Sequence, residues 1–176
     1  MQREIEVKVL NIDIDEMANK LESLGAVKIN HEFQKNYTFI PQGEGSFSDG
    51  YLRIRETTKK STEEKEIELT FKEVKTVDDV RINNEYTTKI DSVTMMTRIL
   101  EHMGIELEYK GEKERISYRY KNQRFDIDIW DKDTYPDPYM EIEFSNQSKI
   151  DEIIDDLGID RVNVTNKSIT ELREYL

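Results

Sequence analysis

Residues 124–130 read Arg124-Phe125-Asp126-Ile127-Asp128-Ile129-Trp130, an alternation of charged and apolar side chains that ends on an aromatic residue. Because successive side chains of a strand point to opposite faces, this pattern predicts a β-strand with one apolar and one charged face. The same alternation recurs at residues 4–9, 52–55, 66–72, 115–120 and 140–144, and more weakly at 33–40 and 81–90. The sequence therefore predicts about eight strands, which is enough to close a sheet into a barrel.

Helical patterns separate the strands. Three stretches carry an apolar stripe at helical spacing and end just before a glycine, which favours termination of a helix. They are residues 13–24, 92–103 and 148–157, and residues 168–176 are a candidate for a short last helix. No stretch resembles a linker, so we expect one α+β domain over residues 1–176, with the helices packed outside the sheet.

A faint internal repeat accompanies these elements. Glu6, a helix and Gly25 are followed 79 residues later by Glu85, a helix and Gly104. This offset suggests two strand–helix–strand halves that face each other as the walls of one barrel.

The overall charge narrows the range of partners. The chain has 26 Lys and Arg against 38 Asp and Glu, a formal net charge of −12. Such an acidic surface argues against nucleic acid and anionic lipid as partners. No stretch reaches the roughly 18 consecutive apolar residues of a membrane span, and no signal-peptide pattern is found. The absence of cysteine excludes disulfides and thiolate chemistry and is typical of a cytoplasmic protein.

The charged faces of the predicted strands hold five of the ten arginines but only three of the sixteen lysines. For any one strand, an ordinary solvated sheet face is the simplest interpretation, but such a face would draw on the commoner lysine. The planar guanidinium of arginine binds phosphate oxygens in pairs and stays charged when buried, so the enrichment favours an oxyanion site. The charged face comprises Glu4, Glu6, Lys8, Arg53, Arg55, Glu66, Glu68, Lys72, Lys113, Arg115, Arg119, Arg124, Asp126, Asp128, Glu141 and Glu143.

Carboxylates on the same face would repel an anion unless a divalent cation lay between them. Glu4 and Glu6 are two residues apart, as are Glu141 and Glu143, so each pair points to one side of its strand. Such pairs can share a hard metal ion such as Mg²⁺ or Mn²⁺. A metal beside a cluster of Arg and Lys is typical of sites that transform polyphosphates. Curling the sheet with this face inward would create a charged tunnel.

Several short motifs follow one another along the chain in a specific order. They are Glu4-Ile5-Glu6-Val7-Lys8, Gln34-x-x-Tyr37, Leu52-Arg53-Ile54-Arg55, Leu69-Thr70-Phe71-Lys72, Met103-Gly104, Lys113-x-Arg115, Ile127-Asp128 and Glu141-Ile142-Glu143. The first matches the ExExK signature of the CYTH superfamily, the triphosphate tunnel metalloenzymes, and the order resembles that family over nearly the whole chain. The class IV adenylate cyclase-like (CyaB-like) members are the most similar. The resemblance implies an eight-stranded antiparallel closed β-barrel, or tunnel, which binds a triphosphate inside and requires Mg²⁺ or Mn²⁺.

The resemblance also implies roles for individual residues. Those implied to be catalytic are Glu6, Lys8 and Asp128. Those implied to bind phosphate are Lys8, Arg53, Arg55, Lys72, Lys113 and Arg115, to which Arg119 is added from its place on the charged face. Those implied to bind the metal are Glu4, Glu6, Asp128, Glu141 and Glu143, and Glu85 matches a further acidic position.

Four functional hypotheses remain open. In the first, a class IV adenylate cyclase-like enzyme converts ATP to cyclic AMP and pyrophosphate through attack of the ribose 3′-hydroxyl on the α-phosphorus. In the second, a triphosphatase hydrolyses thiamine triphosphate, a nucleoside triphosphate or tripolyphosphate. The third is a non-catalytic module that binds nucleotide or polyphosphate, and the fourth is a structural domain with a solvated sheet. The small-molecule triphosphate is the expected partner, and the sequence leaves the choice between monomer and homodimer open.

Overall fold

A computed structural model describes residues 2–43, 47, 50–77, 80–145 and 149–174, and the side chains of 5–43, 47, 50–74, 82–145 and 149–174. The strands are β1 (Gln2–Val9), β2 (Val27–Pro41), β3 (Gly50–Lys59), β4 (Lys65–Val77), β5 (Val80–Lys89), β6 (Ile105–Tyr120), β7 (Gln123–Trp130), β8 (Tyr139–Phe144) and β9 (Val164–Thr165). The helices are α1 (Ile14–Ser23), α2 (Val93–His102), α3 (Ile150–Asp156) and α4 (Ile169–Arg173), and a 3₁₀ turn covers Arg161–Asn163.

The first eight strands close into an antiparallel barrel. Their order is β5-β4-β3-β2-β6-β7-β8-β1, and β1 pairs with β5 to complete the ring. Exchanging β1 with β5, β2 with β6, β3 with β7 and β4 with β8 leaves every pair of neighbouring strands in the ring unchanged. The two halves implied by the sequence repeat therefore form opposite walls of one barrel. The short strand β9 pairs with the end of β1, at Lys8 and Val9. The predicted eight-stranded closed barrel with helices outside is confirmed.

The apolar core lies outside the barrel wall, between strands and helices. Leu21 of α1 and Ile153 of α3 are fully buried against the apolar faces of β1, β7 and β8. Leu100 of α2 packs on a second cluster that includes Phe39 and Ile54. Burying one such side chain contributes about 1.5–3 kcal/mol. Because these contacts hold the apolar faces outward, the charged faces point into the barrel.

The helix boundaries follow the capping signals in the sequence. The Asp13 side chain accepts a hydrogen bond from the Glu16 backbone N–H at 2.9 Å, and Ser92 accepts one from Met95 at 3.2 Å. Gly25, which ends α1, adopts a φ of +86°, a conformation that costs other residues energy. The third helix begins at Ile150, and the predicted start at residue 148 lies outside the described residues.

Two strands are much longer than the sequence pattern predicts. The pairing of β2 with β6 continues to Pro41 and Ile105, although the predicted strands covered only 33–40 and 115–120. Residues 106–108 of β6 are exposed, so both faces of this segment tolerate polar side chains and the alternation disappears. Among the described residues, no helix is long and apolar enough to cross a membrane.

Candidate active site

The barrel encloses a cavity of about 590 Å³ that receives side chains from all eight of its strands. This volume is within the range of small-molecule sites, about 300–1,000 Å³. The enclosure excludes the interpretation of the charged faces as a flat, solvated sheet. Nine predicted site residues line the cavity: Glu6, Lys8, Arg53, Arg55, Lys72, Lys113, Arg115, Glu141 and Glu143.

Three predicted site residues do not line the cavity in this way. The structure leaves Arg119 exposed at the end of β6, next to the turn at Lys121 and Asn122, and therefore does not bring it to the cavity. Asp128 is completely buried in the barrel wall behind two cations. The backbone of Glu4 pairs with Asn83, but its side chain lies outside the part of the chain that the structure describes.

Two lysines bridge the carboxylates of neighbouring strands. Lys8 Nζ lies 3.3 Å from Glu141 and 3.7 Å from Glu6. Lys72 Nζ lies 3.4 Å from Glu6 and 3.1 Å from Glu85. Burial opposes ionisation of Glu141 and Glu85, but the surrounding positive charges outweigh it and lower the pKa of both carboxyl groups. Both carboxyl groups are therefore ionised near neutral pH.

Asp128 organises the cations of β6. Its two oxygens accept from Nε and Nη2 of Arg115, both at 2.6 Å, and Lys113 Nζ also lies at 2.6 Å. Burial opposes ionisation of Asp128, but the charges of Arg115 and Lys113 outweigh it and lower its pKa. Arg115 further contacts Asp126 at 2.8 Å and Glu141 at 2.7 Å. The guanidinium is thus fixed in orientation by three carboxylates.

Burial disfavours the charged form of two cations in the site. Burial and the charge of Arg115 lower the pKa of Lys113 to about 7, even though Asp128 opposes this shift. Burial and the neighbouring charges of Arg53 and Arg115 lower the pKa of Arg55 to about 10. A bound anion beside these two groups would favour their charged forms and raise both pKa values.

The carboxylates on β1 and β8 fit a hard divalent cation. Glu6 and Glu143 are directly opposite each other, and Glu141 is opposite Lys8 on the same two strands. Carboxylate oxygens are the ligands that Mg²⁺ and Mn²⁺ prefer. Within the described side chains no three acidic or histidine residues converge closely enough to form a complete metal site. A cation here would therefore also need oxygens from a ligand or from water.

The polar face of β2 contributes to the cavity, although no residue of this strand was predicted to belong to the site. Glu32, Asn36 and Thr38 line the cavity from this strand, and they alternate with apolar residues such as Tyr37. Lys35 interrupts the apolar face, and in the structure it lies at the surface, 3.6 Å from Glu112. Counting the polar positions of β2 by themselves would have revealed this part of the site.

The start of α4 and two tyrosines, which the sequence did not assign to the site, line one mouth of the tunnel. Residues 168–171, at the start of α4, line the cavity together with Tyr51 and Tyr109. The guanidinium of Arg173 lies 5.0 Å from the centre of the Tyr109 ring, which holds α4 against β6. Trp130 lines the same region and donates a hydrogen bond to the Tyr139 hydroxyl at 2.8 Å. This mouth is therefore aromatic, whereas the middle of the tunnel is charged.

Solved structures with the same fold come from archaea, bacteria and plants. PH1819 from Pyrococcus horikoshii OT3 superposes with a TM-score of 0.79 at 21% identity, covering 98% of each chain. A Vibrio parahaemolyticus protein described as a candidate adenylate cyclase gives 0.70 at 13% identity, covering 98% of each chain. HpAC1 from Hippeastrum, described as a candidate adenylyl cyclase with a dominant triphosphatase activity, gives 0.67 at 15% identity, covering 96% of this chain and 91% of that chain.

These identities are low, and the three likenesses show the fold alone. No curated protein gives a significant match to the sequence. The model of the CYTH domain, in contrast, matches residues 2–169, which is nearly the whole chain and includes every strand of the barrel. The family predicted from the order of the motifs is thereby confirmed, and the chain belongs to the CYTH family.

Proposed function

We propose that this protein is a divalent-metal-dependent enzyme that acts on a triphosphate bound inside the barrel. The observation that carries the proposal is the convergence of six cations on one enclosed cavity that also holds carboxylates. The cations are Lys8, Arg53, Arg55, Lys72, Lys113 and Arg115. A chain of three phosphates carries about four negative charges, which matches a site with several cations better than it matches a site for a single phosphate.

The carboxylates of Glu6, Glu141 and Glu143 would hold the divalent cation, with Glu4 as the next acidic residue along β1. When bound, such a cation neutralises phosphate charge and polarises the phosphorus–oxygen bonds. The six cations then position the phosphates and stabilise the charge that develops on the leaving group. Asp128 acts through Lys113 and Arg115, whose amine and guanidinium it orients.

The reaction that we favour is the class IV adenylate cyclase-like conversion of ATP to cyclic AMP and pyrophosphate. In this reaction the ribose 3′-hydroxyl attacks the α-phosphorus, and the bond to the β-phosphate oxygen breaks. Lys8 lies between Glu6 and Glu141, and its charge would stabilise the departing pyrophosphate. The description of the Vibrio protein as a candidate adenylate cyclase supports this choice.

Hydrolysis of the triphosphate is the second candidate, since the same cations serve it with water as the nucleophile. The substrates would be thiamine triphosphate, a nucleoside triphosphate or tripolyphosphate. The description of HpAC1, in which triphosphatase activity dominates, favours this reaction.

The decisive experiment is to incubate the purified protein with ATP, thiamine triphosphate and tripolyphosphate, each with Mg²⁺ or Mn²⁺, and to resolve cyclic AMP, pyrophosphate and phosphate. Cyclic AMP with pyrophosphate would identify a cyclase, and phosphate would identify a hydrolase. Glu6→Gln should abolish turnover, whereas Glu106→Gln, at an exposed position of β6, should not. Absence of turnover with all three compounds would overturn the proposal and leave a binding module.

A further inference from the structure

Tyr139 lines the cavity from the start of β8, and the hydrogen of its hydroxyl group is not used by the protein. The side chain is only 1% exposed, and its oxygen accepts a hydrogen bond from Nε1 of Trp130 at 2.8 Å. Among the residues that the structure describes, no acceptor lies within hydrogen-bond distance of this O–H group. A buried donor without an acceptor is costly, so folded proteins rarely keep one unless a ligand or water satisfies it.

The carboxylates next to Tyr139 in the sheet are engaged by cations. Asp128, directly opposite on β7, accepts hydrogen bonds from Lys113 and Arg115 with its two oxygens. Glu141, two residues further along β8, accepts a hydrogen bond from Arg115 at 2.7 Å. Neither carboxylate is a hydrogen-bond partner of the Tyr139 hydroxyl. The cavity that this side chain lines is therefore where an acceptor can reach the hydroxyl.

Two aromatic neighbours hold the Tyr139 side chain in place. The Tyr135 ring packs edge-on against it with the ring centres 5.8 Å apart, and the N–H of Trp130 occupies one acceptor position of its oxygen. Trp130 is itself directly opposite Lys113 in the β6–β7 pairing, and its ring lies 5.0 Å from Lys113 Nζ. The hydroxyl therefore lies where the aromatic mouth meets the charged middle of the tunnel.

Building on the proposed function, we propose that Tyr139 is a substrate-binding residue whose hydroxyl donates a hydrogen bond to an oxygen of the phosphate group bound by Lys113 and Arg115. A phenol is a neutral donor that carries its hydrogen near neutral pH. It therefore stabilises an anionic oxygen without adding a further positive charge to the clustered cations. Because it supplements those cations, its loss weakens binding of the phosphate and does not abolish it.

The test measures binding of inorganic tripolyphosphate by calorimetry at constant pH and constant Mg²⁺. Tyr139→Phe removes only the hydroxyl and keeps the ring against Tyr135, and we expect the affinity to fall about tenfold, because hydrogen bonds to charged groups are among the stronger ones. The matched control is Tyr118→Phe, which removes the hydroxyl of a buried tyrosine that contacts Glu22 outside the barrel. Its affinity should stay within about twofold of the wild type. Thermal unfolding without ligand verifies that both variants fold.

A second comparison separates a direct contact from an effect through Trp130, whose N–H loses its acceptor in Tyr139→Phe. The Trp130→Phe protein retains the Tyr139 hydroxyl and has no indole. Adding Tyr139→Phe to this protein should still lower the affinity at least about threefold. No further loss would show that the hydroxyl acts only through Trp130, and the proposal would be overturned.

The outcomes separate this proposal from the proposed function. If the wild type does not bind tripolyphosphate, the proposed function fails. If the wild type binds it and Tyr139→Phe binds it equally well, only the role of Tyr139 is overturned. The same measurement with ATP locates the acceptor. A loss of affinity for ATP alone would assign the acceptor to the organic group and contradict a contact with phosphate.

Discussion

The Asp128→Asn substitution tests the view that a buried carboxylate organises the cations of the cavity. Asp128 has no exposed surface and contacts Arg115 twice and Lys113 once, at 2.6 Å in each case. Removing one partner of a buried ion pair costs about 3–5 kcal/mol, because the remaining charge is left without compensation. Asparagine has nearly the same shape as aspartate, and Arg115 keeps its contacts with Asp126 and Glu141. We therefore expect a cost at the lower end of this range, a decrease of about 3 kcal/mol in the free energy of unfolding.

The assay is urea unfolding followed by the fluorescence of Trp130, the single tryptophan of the chain. Its ring lies 5.0 Å from Lys113 Nζ, so it reports on the region that is perturbed. The control is Asp151→Asn, at an exposed position of α3 where Arg161 is the ion-pair partner among the described side chains, and it should leave stability unchanged within error. A loss below about 1 kcal/mol for Asp128→Asn would refute the organising role that we assign to this residue.

The same substitution predicts a pH dependence whose sign follows from the lowered pKa of Asp128. A carboxyl group with a lower pKa in the folded protein stabilises it above the unfolded pKa, which is about 3.9 for Asp. That contribution is lost as the pH falls through the folded pKa. The stability difference between wild type and Asp128→Asn should therefore be full at about pH 6, where Lys113 is also charged, and should shrink below about pH 4.

Two further predictions concern the β6 strand. With a pKa of about 7, Lys113 is charged below this pH and neutral above it, so Lys113→Met should weaken tripolyphosphate binding more at pH 6 than at pH 8.5. Calorimetry at both pH values measures this loss of affinity, and protonation of the ligand itself affects the wild type and the variant equally. An equal loss of affinity at both pH values would contradict the pKa assigned to Lys113. Gly111→Ala would place a Cβ 2.5 Å from Thr134 Oγ1 and 3.0 Å from the Trp130 ring, so we expect about 1–3 kcal/mol of destabilisation by urea unfolding. Unchanged stability would show that the loop after β7 yields to the added methyl group.

Much of the fold could be predicted because alternation and capping are local properties. Phe125 and Ile127 lie in the apolar core, whereas Asp126 and Asp128 face the interior of the barrel, as the pattern of β7 predicts. The start of α1 at Asp13 was likewise evident from the residue types alone. The extra length of β2 and β6 was not predictable, because their outer segments are exposed and carry no periodic signal.

The candidate site was predictable as a set of residues but not as a set of contacts. The sequence assigned Asp128 to the metal and to catalysis, but in the structure both of its oxygens bind cations. It placed Arg119 with the phosphate-binding residues, although the side chain is exposed beside a turn. Strand parity predicts the face on which a side chain lies and says nothing about its depth or its neighbours.

The sequence by itself determined that each strand has one apolar and one charged face, since the direction of successive side chains is a property of the extended backbone. Only the tertiary structure decided that the charged faces turn inward. This follows from the burial of the apolar faces beneath the helices and from the closure of β1 on β5. Closure brings Lys72 within 3.4 Å of Glu6, although 66 residues separate them in the chain. Contacts of this kind depend on the strand register around the whole barrel. Closure of the barrel therefore allows a chain with a net negative charge to enclose a cluster of cations in its cavity.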